Sequence, residues 1–436
     1  MFFCKLLIIL ILFFKCSSAS TLNSSWMELH KSRGMEYPEF KLFMRLTVLG
    51  SELLTYFVGT WLLLKLCSKI YLSKVPSVLL FISITLSPPL ILVDHGHFQY
   101  NCVSLGLALI AFYLFMSVGK EETNGLPDPY YLFGSVFFVL ALLYKQMELY
   151  HALPVFFYLL GKCLKQKHWS GTFALFVGLG FTVLITMITC LLPFIVPNHE
   201  PLFDILNRMF PVNRGLYEDK VGSFWCVVST VWKFNKTLPL QQQLTMCSLS
   251  CVLSFTPAAI SLIREPKRAK FLPAVTISSL CFFLFSYHVH EKSILLALVP
   301  ASFLFTVCPF EIVWFTLVSI VSMVPLMERD GLLLASLGTA GIWLAVCAIT
   351  QVYMVNPIKS NKTNWYLSIR SILASLSCIS GIILSFTLLT NWPQPPEKFP
   401  FLYQLLIAVY SCAHYIFFLA YFYYLLFTID VKANKK

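Results

Sequence analysis

The chain has 436 residues, of which 58% are hydrophobic and 12% charged, with a formal net charge of +12. That leaves too little polar surface to cover soluble globules, so lipid is the expected solvent for most of the chain. The basic residues fall in short runs between apolar stretches, where they set membrane orientation, which excludes nucleic acid as an expected partner.

Residues 1–20 carry a short apolar core followed by small residues around Ala19, the pattern of a secretory signal or signal anchor. Residues 21–45 are polar and contain the sequon at Asn23, so they read as the lumenal remnant of a first loop. A transmembrane domain is expected over 46–428, with apolar stretches at 46–66, 75–93, 102–119, 130–144, 152–164, 171–196, 241–263, 271–287, 293–308, 311–327, 332–355, 369–390 and 402–428. A full crossing needs about 20 residues, so the shorter pair 130–144 and 152–164 can form a hairpin without altering the sidedness downstream. The fold class expected is all-α, a polytopic bundle of about 13–14 spans. Residues 429–436 form a cytosolic tail.

Counting from a lumenal residue 45, the loops Lys65 to Lys74, Gly161 to His168 and Arg264 to Lys270 fall in the cytosol and are basic, as the positive-inside rule requires. The lumenal loops are then 94–101, 145–151, 197–240, 288–292, 328–331 and 391–400. On this topology Asn235 is a lumenal sequon and Asn361 a cytosolic one. The fourteen cysteines are scattered through apolar segments without metal-site spacing, so they read as small core residues.

Four polar clusters share the lumenal side. The first is Asp94-His95-Gly96-His97-Phe98-Gln99-Tyr100-Asn101. If a helix begins there, Asp94, His97 and Asn101 lie on one face and offer a carboxylate, an imidazole and an amide to one ligand; Gln99 adds a second amide. The alternatives are an interfacial turn among headgroups, or a metal site on the aspartate and two histidines that lacks a fourth ligand at usable spacing. The second cluster holds Lys145, Glu148 and His151 at every third residue, for which a structural ion pair on one helix side is the favoured reading.

The third is the long loop, with Arg208, Arg214, Glu218, Asp219, Lys220 and Phe224-Trp225. Arginine and lysine suit phosphate oxygens and the aromatics suit a sugar face or a lipid boundary, against the plain alternative of a solvated lid. The fourth is His288-Val289-His290-Glu291-Lys292-Ser293 at the mouth of a span. Lys292 beside His290 can hold a lipid phosphate and Glu291 can bind sugar hydroxyls, whereas a snorkelling anchor explains the lysine alone.

The segments DHGHFQYN, YKQMELYHALP, FPVNRGLYEDKV and HVHEKSILL resemble, in order and over nearly the whole chain from Trp26, the signature segments of the dolichyl-phosphate-glucose-dependent glucosyltransferases. The resemblance implies a C-type glycosyltransferase fold in the endoplasmic reticulum membrane with its active face lumenal. It implies inverting transfer of glucose from dolichyl phosphate glucose to a mannose of the dolichol-linked oligosaccharide, with dolichol lipids as partners and no cofactor expected, metal dependence being left open. Gly96 and Ser293 are more similar to the branch that adds the first glucose than to the branch that adds the second. By the same resemblance, Lys292, Arg214 and His290 are candidates for the departing phosphate, and Asp94, Gln99, Asn101, Glu218 and Glu291 for the sugar, with His97 and Lys220 beside them. The family also carries an acidic stretch and a Trp-Gly-Leu-Asp-Tyr-Pro-Pro segment in its first lumenal loop; residues 21–45 hold neither, so the general base is unassigned and a non-catalytic scaffold is the alternative. A transporter fits less well, because its polar groups belong at mid-membrane in repeated halves, and no repeat is visible here.

Overall fold

The computed structural model describes residues 37–118, 128–198, 221–233, 237–287, 289–354, 365–397 and 399–433. The signal-like segment, the sequons at Asn23, Asn235 and Asn361, and Arg208, Arg214, Glu218, Asp219, Lys220 and His288 lie outside the described residues.

Every apolar stretch expected from the sequence is helical, and among the described residues no strand is present. Among the described residues, seven helices are long and apolar enough to cross a membrane, eight if one bent pair counts as a single span; Asn101–Ser117, Pro129–Tyr144 and Pro309–Ser322 are apolar but shorter. The protein is a multi-pass membrane protein. Its outer helices present Leu, Ile and Phe side chains outward, as at Leu334, Leu337, Phe181 and Ile382. In water such a surface would drive association; against acyl chains it is the satisfied state.

One helix is treated differently. Arg268–Phe285 is 78% buried, against 22–39% for the other full-length spans, so it runs up the centre of the bundle. Phe271 on this helix packs edge-on against Phe112 and at 4.7 Å from the Tyr158 ring. Its serines and threonines bond to backbone carbonyls: Thr276 to Leu272, Ser279 to Val275, and Ser278 across to Tyr150 O at 2.6 Å. A hydroxyl in an apolar interior costs free energy unless it finds such an acceptor.

Two close crossings fix the bundle's geometry. The first helix begins at Pro38, ahead of the expected 46, and passes through a π-turn at Leu53–Phe57 into Val58–Ile70. A Cβ on Gly106 would stand 2.3 Å from Tyr56 N, and one on Gly59 2.7 Å from Gly106 O, so backbone meets backbone here. At the other crossing a Cβ on Gly161 would meet Leu262 O at 2.5 Å, which draws the ends of Leu149–Leu164 and Leu240–Arg264 together.

The expected span 75–93 is broken. Ser77–Thr85 and Pro88–Gly96 meet at 46°. Pro88 and Pro89 lack the N–H groups that would continue the helix ladder, and the second half ends in a π-turn, Leu92–Gly96, that carries Asp94.

Candidate functional site

The expectation that Asp94, His97 and Asn101 share one helical face is overturned. The π-turn stops at Gly96, Phe98 takes a positive φ of 68°, and a new helix starts at Asn101. A bulky residue in that left-handed region is strained, and such strain persists only where the surroundings impose it. A Cβ at Gly96 would stand 2.8 Å from Leu332, so the turn is clamped against the Val324–Arg329 to Leu333–Val352 connection.

The reversal folds Asp94 back under the new helix. Asp94 is fully buried; it accepts hydrogen bonds from Asn101 Nδ2 at 2.6 Å and from the Cys102 backbone N–H at 2.5 Å. A carboxylate on a second-position N–H satisfies one of the helix's open donors and opposes the positive end of its dipole. Asp94 therefore holds this corner and faces no open space.

His95 and His97 point to different partners, so the aspartate and the two histidines form no common metal set. His95 Nε2 lies 3.0 Å from Glu52, a buried carboxylate inside the first span, and His97 Nδ1 lies 2.5 Å from Asp330 Oδ2. Ligand atoms of Glu52, His95 and Cys102 all come within 4.8 Å of one another, the one group of this kind among the described residues that can hold a cation.

The second cluster divides. Lys145 ends the Pro129–Tyr144 helix and donates to Gln99 Oε1 at 3.3 Å and to Asn101 Oδ1. Glu148 takes other partners, Ser104 Oγ at 2.6 Å and His151 Nδ1 at 2.6 Å, and His151 Nε2 donates to Leu296 O at 2.8 Å. The favoured pair is thus replaced by a buried Glu148–His151 pair, and Lys145 is turned to the first cluster. Burial pushes the Lys145 ammonium down to about 8, against the opposing pull of Asp94. The small pocket among Asn101, Ser104, Lys145, Glu148 and Lys292 has a volume of about 10 Å³, room for about one water sphere and no sugar.

The fourth cluster opens on real space. His290, Glu291 and Lys292 line a cavity of about 530 Å³ together with His97, Glu328, Arg329, Phe401 and Gln404. That lies within the roughly 300–1,000 Å³ of small-molecule sites. Lys292 also lines the small pocket, so it joins the cavity to the Asp94 network. The Phe224-Trp225 pair, expected as a sugar face, is packed inward: Trp225 Nε1 donates to Phe285 O at 2.8 Å and anchors the end of the central helix.

Residues 12–421 match the family described as "ALG6, ALG8 glycosyltransferase family". The chain belongs to this family. Proteins similar to this chain include several named dolichyl pyrophosphate Man9GlcNAc2 alpha-1,3-glucosyltransferase. The mouse protein is 39% identical over 93% of this chain and 80% of its own length, and the chicken protein 38% over the same shares. A Drosophila melanogaster relative, named a probable enzyme of that kind, is 36% identical over 92% of this chain and 79% of its own length.

Sequence reasoning passed over Glu52, Glu328, Arg329, Asp330 and Gln404. A carboxylate within an apolar span was a signal for Glu52, since intramembrane acids default to function. The acidic and basic residues of the 328–331 loop carried the same kind of signal, whereas Gln404 had none.

Proposed function

We propose that this family member transfers the first α-1,3-linked glucose, with inversion, from dolichyl phosphate glucose to the terminal mannose of the dolichol-linked high-mannose oligosaccharide used in protein N-glycosylation. The observation that carries the reading is the cavity of about 530 Å³ on which His97, His290, Glu291 and Lys292, from two distant sequence clusters, converge. The names of the family relatives support the acceptor and the linkage.

Departure of dolichyl phosphate places charge on phosphate oxygens, and Lys292, His290 and Arg329 supply cationic or N–H groups in the cavity lining. Glu291, Glu328 and Gln404 supply acceptors and an amide for sugar hydroxyls, and exposed Phe401 offers an apolar face to the sugar ring. Asp94, Gln99 and Asn101 act one step back: with Lys145 they fix the turn that presents His97. Arg214, Glu218 and Lys220 complete the expected donor-binding set from the long loop. The basic loops at the other end of the bundle support a lumenal address for this cavity in the endoplasmic reticulum. The reaction so written uses no divalent ion, which a chelator added to the assay checks.

The test is complementation of cells lacking the first-glucose activity, scored by glucose on the lipid-linked oligosaccharide. The wild-type chain restores the monoglucosylated species, and His290→Ala lowers transfer about 100-fold or more at equal protein level. Transfer only to an acceptor that already bears one glucose would assign the second-glucose reaction instead. Full activity of His290→Ala would remove that histidine from the site.

A further inference from the structure

A second cavity lies at the opposite end of the same helices. Leu149–Leu164 has 16 residues and Arg268–Phe285 has 18, so at 1.5 Å per residue the two cavities are separated by about 24–27 Å of helix, close to the thickness of a bilayer core. The far cavity measures about 650 Å³ and is lined by Lys69, Lys162, Lys165, Arg264, Lys267 and Arg268. Its one carboxylate among the described residues, Glu265, is engaged by Lys270 at 2.7 Å and Lys267 at 3.2 Å. Those two ammonium groups hold the Glu265 carboxyl at about 2, well below the usual range, so it stays ionised at any working pH and neutralises those lysines first.

Ordinary rules explain each basic residue separately. Lys69, Lys162 and Arg264 sit in the last turns of three helices, where cations oppose the dipole, and basic loops set orientation. Those rules ask for no shared cavity. Here three segments distant in sequence are drawn together, two by the Gly161–Leu262 backbone approach and the third by Tyr71 Oη donating to Ala269 O at 3.1 Å, and their cations open on one volume of small-molecule size. Six cations against one carboxylate repel one another, so the assembled cavity is complementary to a multiply charged anion. Lys162 is mostly buried, held along the Tyr158 ring at 5.6 Å from its centroid, so at least one of the cations is fixed in place by packing. The Arg268–Phe285 helix begins at this cavity with no side-chain cap on its first turn, which adds N–H donors of the same sign.

We propose that this cavity binds a phosphomonoester group, carried by an anionic membrane lipid or free in solution, independently of the glucosyl-transfer cavity. Exposed Leu72 and Leu164 adjoin the lining segments, which places apolar surface beside the cations as a lipid headgroup site requires.

The full chain is reconstituted in phosphatidylcholine nanodiscs, in phosphatidylcholine nanodiscs containing a minor fraction of phosphatidate, and in phosphatidylcholine nanodiscs with added inorganic phosphate. Unfolding temperature is read in each. Phosphatidate is expected to raise it, and Lys165→Gln with Arg264→Gln, both exposed positions, is expected to weaken binding about twenty-five-fold, at roughly fivefold per basic residue. The pair Lys165→Arg with Arg264→Lys retains the rise. A rise with inorganic phosphate as well as with phosphatidate assigns a free-anion site; a rise with phosphatidate alone assigns a lipid site. No rise of the wild-type chain in either arm overturns the proposal, and so does an equal rise in the Gln double variant.

Discussion

The two ends of the central helices handle charge in opposite ways. Around Glu148 and Asp94 each acid meets a donor: Glu148 has Ser104 and His151, Asp94 has Asn101 and the Cys102 backbone, and the space left over is about 10 Å³. Around Lys165 and Arg264 six cations share a single lining carboxylate, Glu265, among the described residues and face about 650 Å³. A paired network is rigid and self-contained, so it positions the neighbouring His97 and Lys292; an unbalanced one is complementary to something the chain does not itself supply.

The sharpest way to break this contrast is at Glu148, which is fully buried together with His151. Glu148→Ala leaves the imidazole and the Ser104 hydroxyl without their acceptor, and the expected loss is about 3–5 kcal/mol, read as a fall in unfolding temperature and in yield of monodisperse protein. Glu148→Gln keeps an acceptor for Ser104 and retains most of that stability. If Glu148→Ala proves as stable as wild type, the network is not what holds this end.

A smaller effect is expected at the Gly59–Gly106 crossing, which brings Glu52 to His95. Gly106→Ala forces a Cβ against the Tyr56 and Thr55 backbone, which cannot rotate away, and costs about 1–3 kcal/mol. Gly180→Ala, where nothing lies within 4 Å, serves as the control and leaves the unfolding temperature unchanged or slightly higher. Equal behaviour of the two variants would show that the helices separate at no cost.

The smallest effect sharpens the contrast through pH. Lys145 is pushed by burial from its ordinary 10.5 to about 8, so below pH 8 it is charged and holds Gln99 and Asn101. Transfer should fall as pH rises through about 8. Stability moves the other way: between about 8 and 10.5 the unfolded chain binds the proton that the folded chain has released, so the unfolding free energy rises over that window. Lys145→Arg, charged throughout, should flatten both profiles, and a wild-type profile identical to that of Lys145→Arg would remove Lys145 from the network.

Much of this was legible beforehand. The helices at 102–119, 241–263 and 402–428 announce themselves by length and apolar content, and the basic loops 161–168 and 264–270 by composition. A count of crossings placed His97 and His290 on the same side of the membrane, and that they line one cavity is what the packing of the helices adds. The roles within the site were less legible. Asp94 reads from sequence as a ligand-facing acid, yet the break at Phe98 turns it inward; Trp225 reads as a sugar platform, yet its indole N–H is taken by Phe285. Both outcomes depend on a backbone reversal and a neighbouring carbonyl that no local pattern encodes.

Hydropathy and charge order, properties of each segment and its solvent, determined that this chain crosses a membrane many times, that its histidine-bearing polar clusters fall at one end and that an excess of basic residues falls at the other. Tertiary structure alone decided which of those groups neutralise one another and which face open volume, because partner choice is set by contacts such as Gly106 on Tyr56 and Gly161 on Leu262 that join residues far apart in the chain.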